Sequence, residues 1–259
     1  MLLIDDISIL LPAIFAGMLV VMTHVPLGIQ VLGRGIIFID LAIAQIAGSG
    51  VILANMLGFE GTSWGTEVIA INSALLGGLL LTLTEKFWPH LQEAIIGVVF
   101  VLAATGSILL LAQNPHGGEH LKEILVGQIL WVKLSDLIPI AIAYTAVIFS
   151  FLFLPRISRL GFYILFSLSV TLSVQLVGIY LVFSSLIIPA LLSEGLKETP
   201  KGRLGIALFI GVMGYVTGLF FSLWSDLPAS PMIVWCLLLI GAITALFFKF
   251  FRGIKLLRV

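Results

Sequence analysis

The chain is short of charge, and this scarcity excludes whole classes of protein. Only 10% of its 259 residues are charged, and 13 basic residues balance 13 acidic ones, so the formal net charge is zero. Soluble domains carry about 25% charged residues and about 45–50% apolar residues. A soluble enzyme or a disordered chain is therefore excluded, and the net charge indicates neither an acidic nor a basic class of partner.

Cysteine and the common catalytic motifs are also lacking. Cys236 is the one cysteine, and it lies in an apolar run, so the chain contains no disulfide framework and no thiolate metal site. The sequence has neither the Gly-Lys-Ser/Thr loop of an ATPase nor the His-Glu-x-x-His motif of a metalloprotease. We therefore expect no covalent chemistry and no bound cofactor in this chain.

Long apolar runs are abundant, and they define the fold class. The hydrophobic share is 60% and the mean hydropathy is +1.23. Uniform runs of about 20 residues predict transmembrane helices rather than the alternating strands of a barrel. The sequence thus predicts one all-α transmembrane domain over 1–259, with eight or nine spans at roughly 7–25, 35–57, 66–84, 94–112, 137–154, 161–176, 178–194, 204–224 and 231–251.

The stretch from Gly161 to Ala190 is too long for one upright span. Gly178 lies in its middle, which favours two short helices joined by a tight outer turn. With nine spans, a cytoplasmic C-terminus and an outer N-terminus, every Lys and Arg except Lys122 and Lys133 lies on the inner side. This asymmetry agrees with the positive-inside rule and predicts a multi-pass protein of a membrane that borders the cytoplasm.

Asp40 is the carboxylate that lies well inside a predicted span. A charged Asp at membrane depth costs at least about 2.5–3.5 kcal/mol, so something must offset this free energy. A polar transport path or a bound cation would do so. The alternative is a protonated Asp, or one that is hydrogen-bonded to a neighbouring helix.

Other polar side chains are candidates for lining a path. Gln45 follows Asp40 by five residues, which places it about 140° away around the helix axis. Ser167, Thr171 and Gln175 are spaced by four residues and form one polar stripe on the sixth span. Such a stripe is typical of a cavity wall, and equally of interhelical hydrogen bonding.

The predicted outer segment between the fourth and fifth spans contains possible metal ligands. His116, Glu119 and His120 lie within five residues, a spacing that could chelate a divalent cation such as Zn²⁺. The alternative is a solvated polar loop. His24 and His90 are expected near the inner face, in structural or solvated positions.

The predicted inner loop after Pro189 contains an amphipathic stretch. Glu194, Lys197 and Glu198 accompany apolar leucines there, which favours a short surface helix that docks a cytoplasmic partner. The alternative is a simple charged loop without a partner.

Four segments, in this order, resemble the permease subunits of metal-type ABC importers, which take up zinc, manganese or iron. The resemblance covers nearly the whole chain. It is carried by PLGIQVLGRGIIFIDLAIAQIAG, HLKEILVGQILWV, VTLSVQLVGIYLVFSSLIIPALLSE and SDLPASPMIV.

The resemblance implies a homodimer with a pathway along its two-fold axis, two cytoplasmic ATPase subunits and an external or periplasmic metal-binding protein. It also implies that 190–203 is the ATPase-docking segment and that Asp40 matches the family's carboxylate. The family's histidine four residues later is Ala44 here, and the second Arg of its Arg-Arg pair is absent beside Arg34.

The expected function is therefore ATP-driven, alternating-access import of a divalent transition metal, with zinc first and manganese second. Two alternatives remain at this point. One is a secondary transporter that uses Asp40 as its proton or sodium site. The other is an ABC permease of related architecture for a metal-chelate or cobalamin-type ligand.

Overall fold

Ten α-helices make up most of the residues that the computed structural model describes, which are 4–59, 63–112, 114, 116–153, 158–197 and 199–256. Eight of these helices are long and apolar enough to cross a membrane, and α5 and α8 are shorter. The helices are α1 (Ile4–Arg34), α2 (Ile39–Met56), α3 (Ser63–Phe87), α4 (Gln92–Leu111), α5 (Gly117–Val126), α6 (Leu134–Phe153), α7 (Arg159–Val177), α8 (Ile179–Leu192), α9 (Pro200–Ser225) and α10 (Ala229–Leu256).

The predicted all-helical, multi-span fold is confirmed, and so is the break at Gly178. This glycine has φ 79° and ψ 162°, ends α7 and precedes α8. Residues with a side chain almost never adopt that backbone conformation. The long apolar stretch is therefore divided into two helices at the one position where the turn costs little free energy.

The first helix is longer than predicted, because it continues beyond Pro26 to Arg34. The apolar run alone predicted a first span that ends near residue 25. In an apolar environment, however, the helix keeps its backbone hydrogen bonds internal and tolerates proline where neighbouring helices pack against it. Gly28 provides such packing, since a Cβ there would overlap the carbonyl group of Leu186 in α8.

The extended α1 places His24 deep in the bundle rather than at the inner face. His24 precedes Arg34 by ten residues, or about 15 Å along the helix, and its side chain is fully buried. Its Nδ1 lies 3.1 Å from the Val20 carbonyl oxygen and 3.0 Å from Thr23 Oγ1. His90 is exposed in the short 3-10 turn between α3 and α4, as predicted.

The core forms where α1, α2, α7, α8 and α9 meet. Helix α1 packs against α8 and α9, helix α2 packs against α3, α4 and α7, and α10 covers α8 and α9. Gly214 and Gly218 allow α9 to approach α10 closely, because a Cβ at either position would overlap Leu237 or Ile233. Small residues thus serve helix packing here.

The two ends of the bundle differ in charge. Arg34 ends α1, Lys86 lies in the last turn of α3, and Arg159 begins α7. Because short connections make consecutive spans antiparallel, these residues share one end, which we take as the inner end. Helix α5, which carries Lys122, lies at the opposite, outer end.

Candidate functional site

Three cavities at the outer end of the bundle share parts of their walls. The first has a volume of about 140 Å³ and is lined by polar side chains of Asn55, Asn114, His120 and Glu123. The second, of about 240 Å³, shares Glu123 with the first and adds Thr66, Gln128 and Gln175. The third, of about 740 Å³, shares Gln128 and Gln175 with the second and adds Glu67, Ser135 and Asp136.

Three carboxylates therefore line these adjoining cavities. Glu123 separates the first cavity from the second, and Glu67 and Asp136 lie in the third. A cleft with one sign of charge and apolar walls raises the local concentration of counter-ions. The arrangement is suited to attracting cations from the outer side.

Sequence reasoning missed these three carboxylates, although a signal was present. Glu67 lies at the start of the third predicted span, and Asp136 directly precedes the fifth. Glu123 follows His120 by three residues. Each acid lies at the outer end of a helix, where its charge would be solvated in isolation. The packing of α3, α5 and α6 against α7 brings them to adjoining cavities.

The predicted ligand group on α5 is divided into two pairs. His116 Nδ1 lies 3.2 Å from Glu119 Oε2, and His120 Nδ1 lies 3.9 Å from Glu123 Oε2. The first pair is largely exposed, with 73% and 80% of the two side-chain surfaces open, whereas the second pair faces the first cavity. Within the described ranges, no group of three or more His, Cys, Asp and Glu side chains could hold a metal ion.

Helix α5 is held in place by close contacts at both of its ends. A Cβ on Gly117 would lie 2.6 Å from the Leu111 carbonyl oxygen, and one on Gly48 would lie 2.9 Å from Ile124 Cγ2. At the far end, the backbones of Gly127 and Gly178 touch directly, and both have positive φ angles, of 71° and 79°. The position of α5, which forms one wall of the first cavity, is therefore fixed by close packing at its glycine contacts.

Asp40 is far from these cavities. It lies in the first turn of α2, and Asn55 follows it by 15 residues, or about 22 Å along the helix. Its side chain is fully buried, and neither carboxylate oxygen has a hydrogen-bond partner in the part of the chain that the structure describes. A buried carboxylate without donors is costly, unless a proton or a cation neutralises it.

Gln45 lies in the interface between α2 and α4. Its Nε2 donates to Ser107 Oγ at 3.5 Å, and Ser49 Oγ lies 2.7 Å from the same hydroxyl. Ser49 also contacts the Ala103 carbonyl oxygen at 3.2 Å. These contacts make Gln45 part of an interhelical hydrogen-bond group in this subunit.

The polar stripe on α7 lines two of the cavities described above at its outer end, and its other members are buried between helices. Ser167 is buried against α3, where a Cβ on Gly78 would lie 2.5 Å from its Oγ. Thr171 is also buried, and its Oγ1 donates to the Ser167 carbonyl oxygen at 2.7 Å. Gln175 is exposed and lines the second and third cavities.

The inner loop forms a turn, so the expectation of a short surface helix was wrong. Helix α8 ends at Leu192, and residues 193–196 form turns before α9 begins at Pro200. Gly195 has φ 68° and Pro200 starts a new helix with Thr199 as its N-cap, and both features oppose a continuous helix. Of the three predicted docking residues, Glu198 lies outside the described residues.

Arg203 holds the turn against α8. Its Nη2 donates to Glu194 Oε2 at 2.6 Å and to the Ala190 carbonyl oxygen at 3.3 Å. Lys197 Nζ lies 5.4 Å from the centroid of the Phe248 ring, and Leu196 is buried against α9. The turn is thus anchored to the bundle on both sides, and the role of Arg203 was not predicted.

Comparisons with known proteins identify relatives along the whole chain. The sequence profile of the ABC 3 transport family matches residues 6–160 and 152–249. The high-affinity zinc uptake system membrane protein ZnuB of Haemophilus influenzae is 22% identical over 249 residues, which cover 88% of this chain and 94% of ZnuB. The manganese transport system membrane protein MntC of Halalkalibacterium halodurans is 26% identical over 247 residues, with coverage of 88% and 83%.

A solved structure has the same fold. The structure of PsaBC from Streptococcus pneumoniae in complex with a Fab matches with a TM-score of 0.73 and 20% sequence identity. The match covers 91% of this chain and 90% of the compared chain. At this level of identity the likeness concerns the arrangement of helices alone.

Proposed function

The chain belongs to the ABC 3 transport family, and from that premise we propose that it carries a divalent transition-metal ion into a bacterial cell, zinc first and manganese second. It is the multi-pass membrane subunit of an ABC importer and not a catalytic subunit. ATP hydrolysis therefore takes place on a partner ATPase, and an external binding protein delivers the ion. The relatives named for zinc and for manganese support this choice of cargo.

The observation that carries the proposal is the series of adjoining outer cavities. Carboxylates of Glu67, Glu123 and Asp136 line it, together with the imidazole of His120. Imidazole nitrogen and carboxylate oxygen are ligands for zinc and manganese. A pathway with few strong ligands also favours release, because an ion must leave each site it enters.

The alternatives from the sequence receive less support. A proton- or sodium-coupled secondary transporter needs no ATPase, which conflicts with membership of an ABC family. A cobalamin or metal chelate is much larger than a bare ion, and the relatives are named for zinc and manganese uptake, which supports a bare ion as the cargo.

We propose that the importer contains two copies of this chain, with the pathway between them. Helix α6 supports this proposal, because it buries one of the smallest shares of its surface among the eight long spans. Its free face forms a groove lined by Ala141, Thr145, Ala146 and Ser150 with larger apolar neighbours. Small residues on a lipid-facing helix allow a second helix to approach closely.

The turn between α8 and α9 is the proposed docking site for the ATPase, within 190–203. Replacing Glu194, Lys197 and Glu198 together with Ala is expected to reduce co-purification of the ATPase by at least about fivefold, the equivalent of ~1 kcal/mol. Loss of charge complementarity at the contact is the physical reason. Affinity purification of the detergent-solubilised importer measures the yield.

The contact between Arg203 and Glu194 makes a control variant necessary for this prediction. The triple variant removes the Glu194 partner of Arg203, so thermal stability must be measured beside the yield. The single variant Glu194→Gln keeps a hydrogen-bond acceptor for Arg203 and is expected to retain the turn. An unchanged ATPase yield in the triple variant would remove the docking assignment.

Reconstitution tests the proposed function as a whole. We reconstitute this chain with its ATPase and its binding protein in proteoliposomes. We expect these to accumulate Zn²⁺ only when ATP is present on the side of the membrane where the ATPase is bound. Mn²⁺ is expected to be carried less efficiently. Accumulation that is independent of ATP, or the absence of accumulation of either metal by an intact, ATP-hydrolysing complex, would contradict the proposal.

A further inference from the structure

We propose that the first outer cavity, between the outer ends of α2, α4 and α5, binds a single divalent transition-metal ion before it enters the pathway. The ligands are His120 and Glu123 on α5 and the amide oxygens of Asn55 and Asn114. The inference rests on the proposed function as a metal importer and adds a location and a ligand set to it.

The spacing on α5 directs its polar side chains into the cavity. His120, Glu123 and Ile124 are separated by three and four residues, so they share one face of the helix. That face lines the cavity, as do Val51, Ile52 and Asn55 on α2. The more exposed pair of His116 and Glu119 is absent from this lining.

The distance between His120 and Glu123 suits two ligands of one ion. His120 Nδ1 lies 3.9 Å from Glu123 Oε2, which is longer than a hydrogen bond, so the two groups are close but neither is committed to the other. A histidine nitrogen and a carboxylate oxygen each lie about 2.0–2.2 Å from a bound Zn²⁺, so two ligands of one ion are no more than about 4 Å apart. The observed separation is therefore compatible with both side chains binding the same ion.

The amide side chains complete the donor set. Asn114 Oδ1 accepts a hydrogen bond from the His116 backbone N–H at 2.9 Å, which orients the side chain and leaves its second lone pair available. Asn55 lies on α2, whose outer end is held near α5 by the contact between Gly48 and Ile124. Two amide oxygens, one carboxylate and one imidazole form a mixed N/O set suited to zinc or manganese.

The volume of the cavity fits an ion that keeps part of its water. A water molecule occupies about 30 Å³ in the liquid, so about 140 Å³ accommodates a metal ion with a few waters. Incomplete protein ligation leaves the ion able to exchange. Glu123 also lines the second cavity, so the same carboxylate can lead the ion towards Gln128 and Gln175.

Metal binding by the chain in detergent, without ATPase or binding protein, tests this inference. We expect isothermal titration with ZnCl₂ to show one ion per chain at the cavity. The paired change His120→Ala and Glu123→Gln is expected to weaken this binding by at least about tenfold, the range typical of losing a ligand or its second-shell partner. The isosteric Glu123→Gln alone should weaken binding as well, without a fall in thermal stability.

The other pair on the same helix is the matched control. His116→Ala with Glu119→Gln removes one imidazole and one carboxylate from the exposed pair and should leave the affinity within about twofold. Equal weakening by both pairs, or no change on altering His120 and Glu123, would overturn the inference.

Uptake by the reconstituted importer separates the two proposals. A rise in the half-saturating Zn²⁺ concentration for the His120 and Glu123 variant, with little change at saturation, supports the cavity as a capture site. Unchanged half-saturation in that variant would overturn the capture site and leave the proposed function intact. If the unaltered importer moves no metal, the proposed function fails, and the binding titration still decides whether the cavity holds an ion.

Discussion

Asp40→Asn is expected to reduce ATP-driven metal uptake at least about tenfold, the equivalent of ~1.4 kcal/mol, while the protein still inserts and folds. The side chain is fully buried in the first turn of α2 and has no hydrogen-bond partner in the described part of the chain. Asparagine keeps the shape and removes the negative charge. A carboxylate that neutralises a passing cation would therefore lose its effect in this variant.

The thermal stability of the Asp40→Asn variant is informative in its own right. An unpaired carboxylate in a dry interior costs more free energy than an amide. The melting temperature in detergent is therefore expected to stay the same or to rise. A loss of uptake with undiminished stability would separate a role in transport from a role in folding.

Asp226→Asn is the matched control for Asp40. Asp226 is exposed between α9 and α10 with φ 55°, a conformation that asparagine also adopts readily. Uptake by this variant should equal that of the unaltered protein. If a well-expressed Asp40→Asn importer also transports at the normal rate, Asp40 has no part in the pathway.

Gly178→Ala is expected to remove most of the folded protein from the membrane. Alanine in this backbone conformation costs about 1–3 kcal/mol. Its Cβ would also overlap the Gly127 nitrogen and the Val126 carbonyl group, which adds about 1–3 kcal/mol. The sum of about 2–6 kcal/mol is a large part of the stability of most proteins. Size-exclusion chromatography of a fluorescent fusion measures the folded fraction.

Gly58→Ala distinguishes backbone strain from the overlap between helices. Gly58 has φ 86°, but a Cβ there would meet no atom within 4 Å. This variant should therefore lose stability only through the strain of its φ angle. A fall in melting temperature as large as that of Gly178→Ala would contradict the idea that the contact with Gly127 secures α5.

The structure also explains why the site was harder to predict than the fold. The stripe of Ser167, Thr171 and Gln175 is real, but Ser167 and Thr171 are buried, whereas Gln175 lines two of the outer cavities. Gln45 is bound to Ser107 of another helix. Periodicity shows which residues share a face, but it does not show what that face contacts.

The sequence by itself determined a bundle of eight or nine apolar spans, the break at Gly178 and the charge difference between the two ends. Each of these properties depends on the composition of a single segment, because the length, hydrophobicity and flanking charges of each span decide separately how it crosses the membrane. Only the tertiary structure decided that His120 and Glu123 line one cavity with Asn55, and that Arg203 forms an ion pair with Glu194. Such contacts depend on the rotation and the neighbours of each helix, because they arise from packing rather than from the local sequence pattern.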